Sequence, residues 1–397
     1  MIITPDEFRK YVAQVGEIDP IMVDARRAEG IYVWDSEDKQ YIDMLSGICV
    51  ANIGHNHPKV LKAIRSQMYK SLHLMVYGEF IQRQQYLYAR KIMGLLENKY
   101  QQIFFVNSGS EAIEGAIKTA KLYTKRPEVI SMKNSYHGST MGAVSLMSDE
   151  KFTAPFRPLI PMCSSIEFNN VEDLQKITQQ TACVVSETIQ AGAGVILPEN
   201  DYLKKLQQRC KEVGALLIMD EIQTGFGRTG KLFAFQNYDI LPDIICIAKS
   251  MGGGMPIGGF IGKKKVMDSL NNHHPLIGHA STFGGHPLSL AAARASLKVL
   301  IKENIMEDVE KKGEIYRQKL VHPQIKEVRG KGLFNCIVLN EPKKWKEALI
   351  SCFEEGIITG THLFNEGCLS IKPPLTITYQ EIDLSIEKIL KALNKIS

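Results

Sequence analysis

The chain has 397 residues, 44% hydrophobic and 23% charged, with a formal net charge of +5 from 48 basic and 43 acidic side chains. That is the make-up of a globular protein with room for two domains. The slight basic excess forms no long run and gives no reason to expect a nucleic-acid partner, and no apolar stretch approaches a membrane span.

Residues 1–20 are mildly amphipathic and predict a short helix before Pro20. From Ile21 to Val50, short apolar alternations predict strands of a small sheet. GHNHP at 54–58 reads as a turn, followed by a helix over VLKAIRSQMYKSL and a second helix from Phe80 to Leu96. His55 and His57 sit in that turn with no cysteine or carboxylate nearby in the sequence. They read as structural residues rather than a metal pair, as do His273 and His274 in a polar loop. The eight cysteines form no CxxC pair and read as small core residues. With an N-terminus that lacks a signal-peptide pattern, they lead us to expect a reduced, cytoplasmic protein.

The period changes inside IFFVNSGSEAIEGAIKTAKLY, residues 103–123, where a buried strand gives way to a small-residue turn and a helix. Such a turn suits an anion at the helix N-terminus, or simply connects two elements. A strand over VISM precedes Tyr136 and His137, where an aromatic ring stacks on a flat ligand or packs in the loop. ACVVSE is a buried run ending in Glu187, and the IQAGAGV that follows is too glycine-rich for a helix. A helix from Tyr202 to Val213 leads to two further apolar runs. Ala215–Met219 ends in Asp220 and Glu221; Ile244–Ala248 ends in Lys249 and a glycine cluster. GGFIG at 258–262 is a short strand, and STFGGHPLSLAAARASLKVL is a polar turn with a helix behind it. Charged helices follow from about Val299. Short strands (LFNCIVL, CLSI) and helices over Trp345–Glu355 and Gln380–Lys395 complete the chain.

This order predicts an α/β fold. Strands and helices alternate from about 100 to 260, giving a large domain with a mostly parallel central sheet, and a smaller α+β domain follows. The expected boundaries are an N-terminal segment at 1–50 that packs with the small domain, a large domain at 51–295 and a small one at 296–397. There is no GxxxxGK[ST] loop, strand-borne GxGxxG, HExxH or GxSxG. ATPases, zinc hydrolases, serine hydrolases and typical dehydrogenases drop out.

Two strands that deliver Asp220 and Lys249 to one sheet edge define the chemistry, because open α/β sheets bind ligands there. A lysine at such a site can form a Schiff base with an aldehyde, and a carboxylate can hold a protonated pyridine nitrogen. Gly109 and Ser110 can take a phosphate at the helix start, Tyr136 can cover a ring face and Gln223 can bond a phenolic oxygen. Separately each has a plain structural reading. Together, in this order, they describe a site for pyridoxal 5′-phosphate.

The chain resembles the class III, ornithine/acetylornithine-type aminotransferases of the fold-type-I pyridoxal-phosphate enzymes, from about Val33 to Pro374. The motifs are FVNSGSEAIEGAIKTA, YHGSTMGA, MDEIQTGFGRTGKLFAF, PDIICIAKSMGGGMPIGG, STFGGHPL and VRGKGL. The resemblance makes Lys249 the Schiff-base lysine and proton shuttle, Asp220 the partner of the pyridine nitrogen and Gln223 the contact to the phenolic oxygen. It puts Gly109 and Ser110 at the phosphate and Tyr136 on the ring. Thr282, with Ser281, is placed at the phosphate of a neighbouring subunit, which implies a homodimer with shared sites. It assigns no catalytic role to His137 or Arg228. The implied reaction is a ping-pong transfer from an ω-amino or diamino acid (ornithine, acetylornithine, 4-aminobutyrate or lysine type) to a 2-oxo acid such as 2-oxoglutarate. The alternatives are a racemase or aminomutase using the same cofactor, and a non-catalytic binding protein on the same fold.

Three positions depart from the family pattern. HGST puts Ser139 where the family has a carboxylate-binding arginine, and ETIQAGAG puts Gly192 at the place of a glutamate. SIKPPL puts Lys372 at the place of the arginine for the 2-oxoglutarate carboxylate. Ser139, Ser281 and Lys372 are the expected substrate-side residues, and Arg157 is the nearest arginine in sequence that could replace the one missing at 139.

Overall fold

The computed structural model describes residues 4–13, 23–75, 79–271 and 279–396, which leaves His273 and His274 outside the described residues. The N-terminal helix is short, Pro5–Tyr11, and is capped by the Thr4 hydroxyl. Three antiparallel strands follow: β1 (Ala25–Glu29), β2 (Tyr32–Asp35) and β3 (Gln40–Asp43).

The large sheet has seven strands: β4 (Gln102–Val106), β5 (Glu128–Met132), β6 (Cys163–Ile166), β7 (Thr181–Glu187), β8 (Leu216–Asp220), β9 (Ile244–Ile247) and β10 (Gly258–Gly262). Their spatial order is β4-β10-β9-β8-β7-β5-β6. From β9 to β6 every pairing is parallel. GGFIG is the exception, running antiparallel to both β4 and β9. Strand β6 has no apolar run to announce it: it is CSSI at the sheet edge, and only its last residue is buried.

The central strands read as continuous apolar runs because both their faces are covered. Leu217, Met219, Ile245 and Ile247 share one core with Leu203 and Leu206 of the helix Tyr202–Val213. Leu216, Ile218, Ile244 and Cys246 point the other way, into a core with Ala112, Ile113 and Ala116 of the helix Gly109–Thr124. Period-2 alternation thus sends neighbouring residues of one strand into opposite layers.

A third sheet combines β11 (Ile325–Lys331) and β12 (Phe334–Leu339) with a last strand, numbered after β13 (Ile357–Ile358) as β14 (Cys368–Ile371). Strand β13 leaves that sheet and pairs in parallel with β3, Ile357 opposite Ile42. The chain's N-terminal segment is thereby stitched to its C-terminal part. Seven of the eight free cysteines are buried. No helix among the described residues is long and apolar enough to cross a membrane.

The histidine turn differs from its sequence reading in one respect. His55 does have a carboxylate partner: its Nε2 lies 2.8 Å from Asp43 Oδ2, on a strand that folding brings beside the turn. His57 caps the helix Pro58–Met68. Among the described residues no cluster of three or more metal-ligating side chains exists.

Candidate active site

A cavity of about 890 Å³ opens at the C-terminal ends of β5, β7, β8 and β9, which is the usual place and size for a small-molecule site in such a sheet. Asp220 ends β8 and is 5% exposed. Its Oδ1 accepts from the Ile222 N–H at 2.9 Å and its Oδ2 from His137 Nδ1 at 2.7 Å. A carboxylate can only accept when ionised, so Nδ1 carries the proton. His137 Nε2 is buried with no hydrogen-bond partner among the described residues.

Lys249 follows β9 with a left-handed backbone, φ +47, a conformation that costs energy in a non-glycine residue. It turns the side chain into the cavity, where no hydrogen bond or ion pair among the described residues holds the amino group.

Ser108, Gly109 and Ser110 line the cavity at the start of the 16-residue helix Gly109–Thr124. The Ser108 hydroxyl caps it by accepting from the Glu111 N–H at 3.2 Å, and the Glu111 carboxylate accepts from the Asn107 N–H at 2.6 Å. The two bonds tie the turn at Asn107 and Ser108 to the first turn of the helix. Gly138 lies against it at φ +133, and a Cβ there would fall 2.0 Å from Ser110 Oγ. Only glycine lets the Tyr136–His137 loop close on the helix start.

The two acidic strand-end residues beside Asp220 divide by environment. Glu187 lines the cavity, where its carboxylate accepts from the Tyr136 N–H at 3.2 Å and the Ala191 N–H at 2.7 Å. Burial pushes this carboxyl up to about 7; Asp220 adds to the rise, while His137 and the two amides oppose it. Glu221 does not line the cavity. It is fully buried and accepts from the Thr188 and Thr224 hydroxyls and from the Ala234 and Phe235 N–H groups. Burial raises its pKa too. It anchors the loop after β8.

The opposite wall comes from the C-terminal part of the chain. Lys372, 4% exposed, donates to Gln223 Oε1 at 3.2 Å and lies 4.5 Å from the centre of the Phe334 ring. Burial pushes its amine down to about 8, and nearby Lys249 and Arg228 act in the same direction. His362 donates from Nδ1 to the Ala191 carbonyl at 2.6 Å, so its Nε2 accepts from the Ser370 hydroxyl at 3.0 Å. Burial, reinforced by Lys372, keeps that imidazole neutral.

Arg228 fixes this wall from beneath. Its fully buried guanidinium donates to the Leu333 and Pro373 carbonyls, to Ser46 Oγ and to Asn52 Oδ1. Ser46 Oγ donates in turn to the Lys372 carbonyl at 2.8 Å, and the Lys372 N–H donates to the Met44 carbonyl at 2.7 Å.

The cavity therefore brings together Asp220, Lys249, Gly109, Ser110, Tyr136, Gln223 and Lys372. Ser139 does not line it; its hydroxyl meets the Tyr136 hydroxyl at 2.8 Å. Ser281 accepts from Asn107 Nδ2 at 2.7 Å, and Thr282 is exposed beside it. Arg157 pairs with Glu150 on the surface and does not replace the missing arginine. The sequence reading names His137, Glu187 and Arg228 without a role in the site and does not name His362. His137 adjoins Tyr136, Glu187 ends a strand just as Asp220 does, and Arg228 belongs to the GRTG turn. For His362 the sequence offers no signal.

A carboxylate and an amine without a partner among the described residues thus line one strand-end cleft of an α/β fold, with a capped helix start beside them. The chain matches the model for aminotransferase class-III over residues 13–393, and it belongs to that family of enzymes. It is 36% identical over 378 residues to the acetylornithine aminotransferase of Clostridium acetobutylicum, covering 91% of this chain and 93% of that protein. It is 38% identical over 321 residues to a [LysW]-aminoadipate semialdehyde/glutamate semialdehyde transaminase of Sulfurisphaera tokodaii, covering 80% and 81%. The ornithine aminotransferase of Toxoplasma gondii, crystallised with partial occupancy of PLP, superposes with a TM-score of 0.91 at 29% identity, covering 99% of this chain and 95% of that one.

Proposed function

We propose that this class III aminotransferase holds pyridoxal 5′-phosphate in the cleft and moves an amino group from an ω-amino or diamino acid to a 2-oxo acid, 2-oxoglutarate being the favoured acceptor. The carrying observation is the pair across the cavity: Asp220, its carboxylate oriented by His137 and the Ile222 N–H, faces Lys249, whose amine has no partner among the described residues. The shape fits the cofactor as well. A Cβ at Gly109 would come within 2.9 Å of the Ile222 side chain, so glycine keeps the cradle at the helix start open.

The Ser108–Ser110 turn would hold the phosphate, Asp220 would keep the ring nitrogen protonated, Tyr136 would cover the ring and Gln223 would meet its phenolic oxygen. The bound cofactor supplies an aldehyde for the amino group and an electron sink for the carbanion. Lys249 would hold the cofactor through its amino group and, when that amine is free, would serve as the acid and base that moves the substrate's proton. His137 orients Asp220, and Glu187 fixes the backbones of Tyr136 and of the loop after β7.

We further propose a homodimer. Tyr69 and Ile81 are 94% and 98% exposed, and Phe283, next to Thr282, is 55% exposed with its ring tilted against that of His73. A second copy would cover these side chains, and sedimentation over a range of concentrations tests for it.

The central test is spectroscopic. The purified protein should show a visible band with pyridoxal phosphate that an amino donor alone removes, and Lys249→Ala should lack it. A band that persists with donor while chirality inverts would indicate a racemase. Absence of any cofactor band in either protein would overturn the reading.

A further inference from the structure

Lys372 is a buried cation with a neutral companion. Among the described residues its Nζ makes one hydrogen bond, to Gln223 Oε1, and none to a carboxylate. The two acids lining the cavity are engaged elsewhere, Asp220 with His137 and the Ile222 N–H, Glu187 with two backbone N–H groups. Nor does the loop after β7 supply one. Gly192 has no side chain, and a Cβ there would lie 3.0 Å from the Phe364 ring. That ring is strapped in place: the Phe364 N–H donates to the Gly192 carbonyl at 3.0 Å, and His362 holds the neighbouring Ala191 carbonyl.

The contact also orients Gln223. A lysine ammonium only donates, so the amide must turn its oxygen to Lys372, leaving its NH₂ for the cavity. Gln223 thus joins the cationic corner to the cofactor position. Two of the three ammonium donors remain unspent, and a buried charge without a counter-ion gains most when an anion arrives.

We propose that Gln223 is the resting partner of Lys372, and that the carboxylate of an incoming 2-oxo acid displaces this neutral amide instead of breaking an ion pair. Gln223 is therefore a placeholder that the carboxylate displaces, as well as a cofactor contact. An amino donor with no carboxylate at this corner leaves the Gln223–Lys372 bond in place. The inference rests on the reading of the cleft given above.

The groups facing Lys372 are Lys249 and Arg228, which lower its pKa, the thiols Cys49 and Cys336, which oppose that, and the neutral His362. Protonated Lys372 binds the anion, so affinity should be full below about 8 and fall as pH rises through that value.

The test measures binding, not turnover. Calorimetry of 2-oxoglutarate with the holoenzyme in its aldehyde form, where no amino group is present to react, gives a Kd across pH 6–10. Lys372→Met should weaken it about 10- to 100-fold, and Lys372→Arg should retain it and remove the alkaline loss. Gln223→Leu should tighten binding by about 2- to 10-fold, since no amide has to be displaced. Gln223→Glu should weaken it at least as much as Lys372→Met, by pairing with Lys372. A Gln223 that only touches the cofactor would change the absorption spectrum in both variants and leave the Kd unmoved. That result, or weaker binding in Gln223→Leu, would overturn the proposal. If no donor ever converts the cofactor, the proposed reaction fails while the Kd series still decides the role of Gln223.

Discussion

The two walls of the cleft are built on different principles. On the sheet side, the acidic groups sit at strand ends and are held by two neighbours at the same sheet edge: Asp220 by His137 and Ile222, Glu187 by Tyr136 and Ala191. On the other side, Lys372 depends on residues far apart in sequence. Met44 and Ser46 reach it from the N-terminal segment, and Gln223 and Arg228 from the loop after β8. The sheet wall is fixed by elements whose geometry is local. The C-terminal wall is fixed only when the N-terminal segment, the GRTG turn and β14 have come together.

Removing the residue that the chemistry needs should have the largest effect. Lys249→Ala should lower kcat by about 10⁴-fold, read by steady-state transamination, while leaving the urea midpoint nearly unchanged. Arg228→Met should do the converse: it strips four buried acceptors of their donor and should cost about 4 kcal/mol of stability, measured by urea unfolding. Carboxylate affinity should fall with it, because Ser46, which holds the Lys372 carbonyl, and the adjoining Pro373 carbonyl lose their common donor.

Glu187 gives a smaller, pH-dependent effect. Its folded pKa of about 7 stands above the 4.5 of a free glutamate, so the fold favours the protonated form. That contribution is fully present below about 4.5 and lost as pH rises through 7; it amounts to about 3 kcal/mol. Thermal melts of Glu187→Gln and the parent protein should therefore converge at low pH, and the parent should fall behind as pH approaches 7. The smallest effect is expected of Ser139→Ala. It removes one exposed hydroxyl contact to Tyr136 and should change kcat/KM by no more than about 3-fold, whereas loss of a direct substrate contact would show a larger rise in KM.

Much of the sheet wall was legible because its signals are contiguous. An apolar run that stops at Asp220, another that stops at Lys249, and a small-residue turn before a helix each occupy a few consecutive residues. The misreadings share the opposite cause. His55 has its carboxylate 12 residues away, on β3. Arg157, close in sequence to Ser139, pairs with Glu150 on the surface. The antiparallel course of GGFIG could not be read from five residues, because direction depends on where the preceding glycine loop lets the chain turn.

By itself the sequence determined the layered α/β order, the strand ends that carry Asp220 and Lys249 and, through motif resemblance, the family. These depend on period, apolar run length and local turn chemistry, all encoded within short windows. Only the tertiary structure decided what surrounds Lys372. It buried the amine beside Phe334, gave it the neutral Gln223 in place of an acid, filled the space next to Gly192 with Phe364, and tied Arg228 beneath. The physical reason is that burial and charge pairing are properties of the assembled neighbours, drawn here from positions up to 326 residues apart.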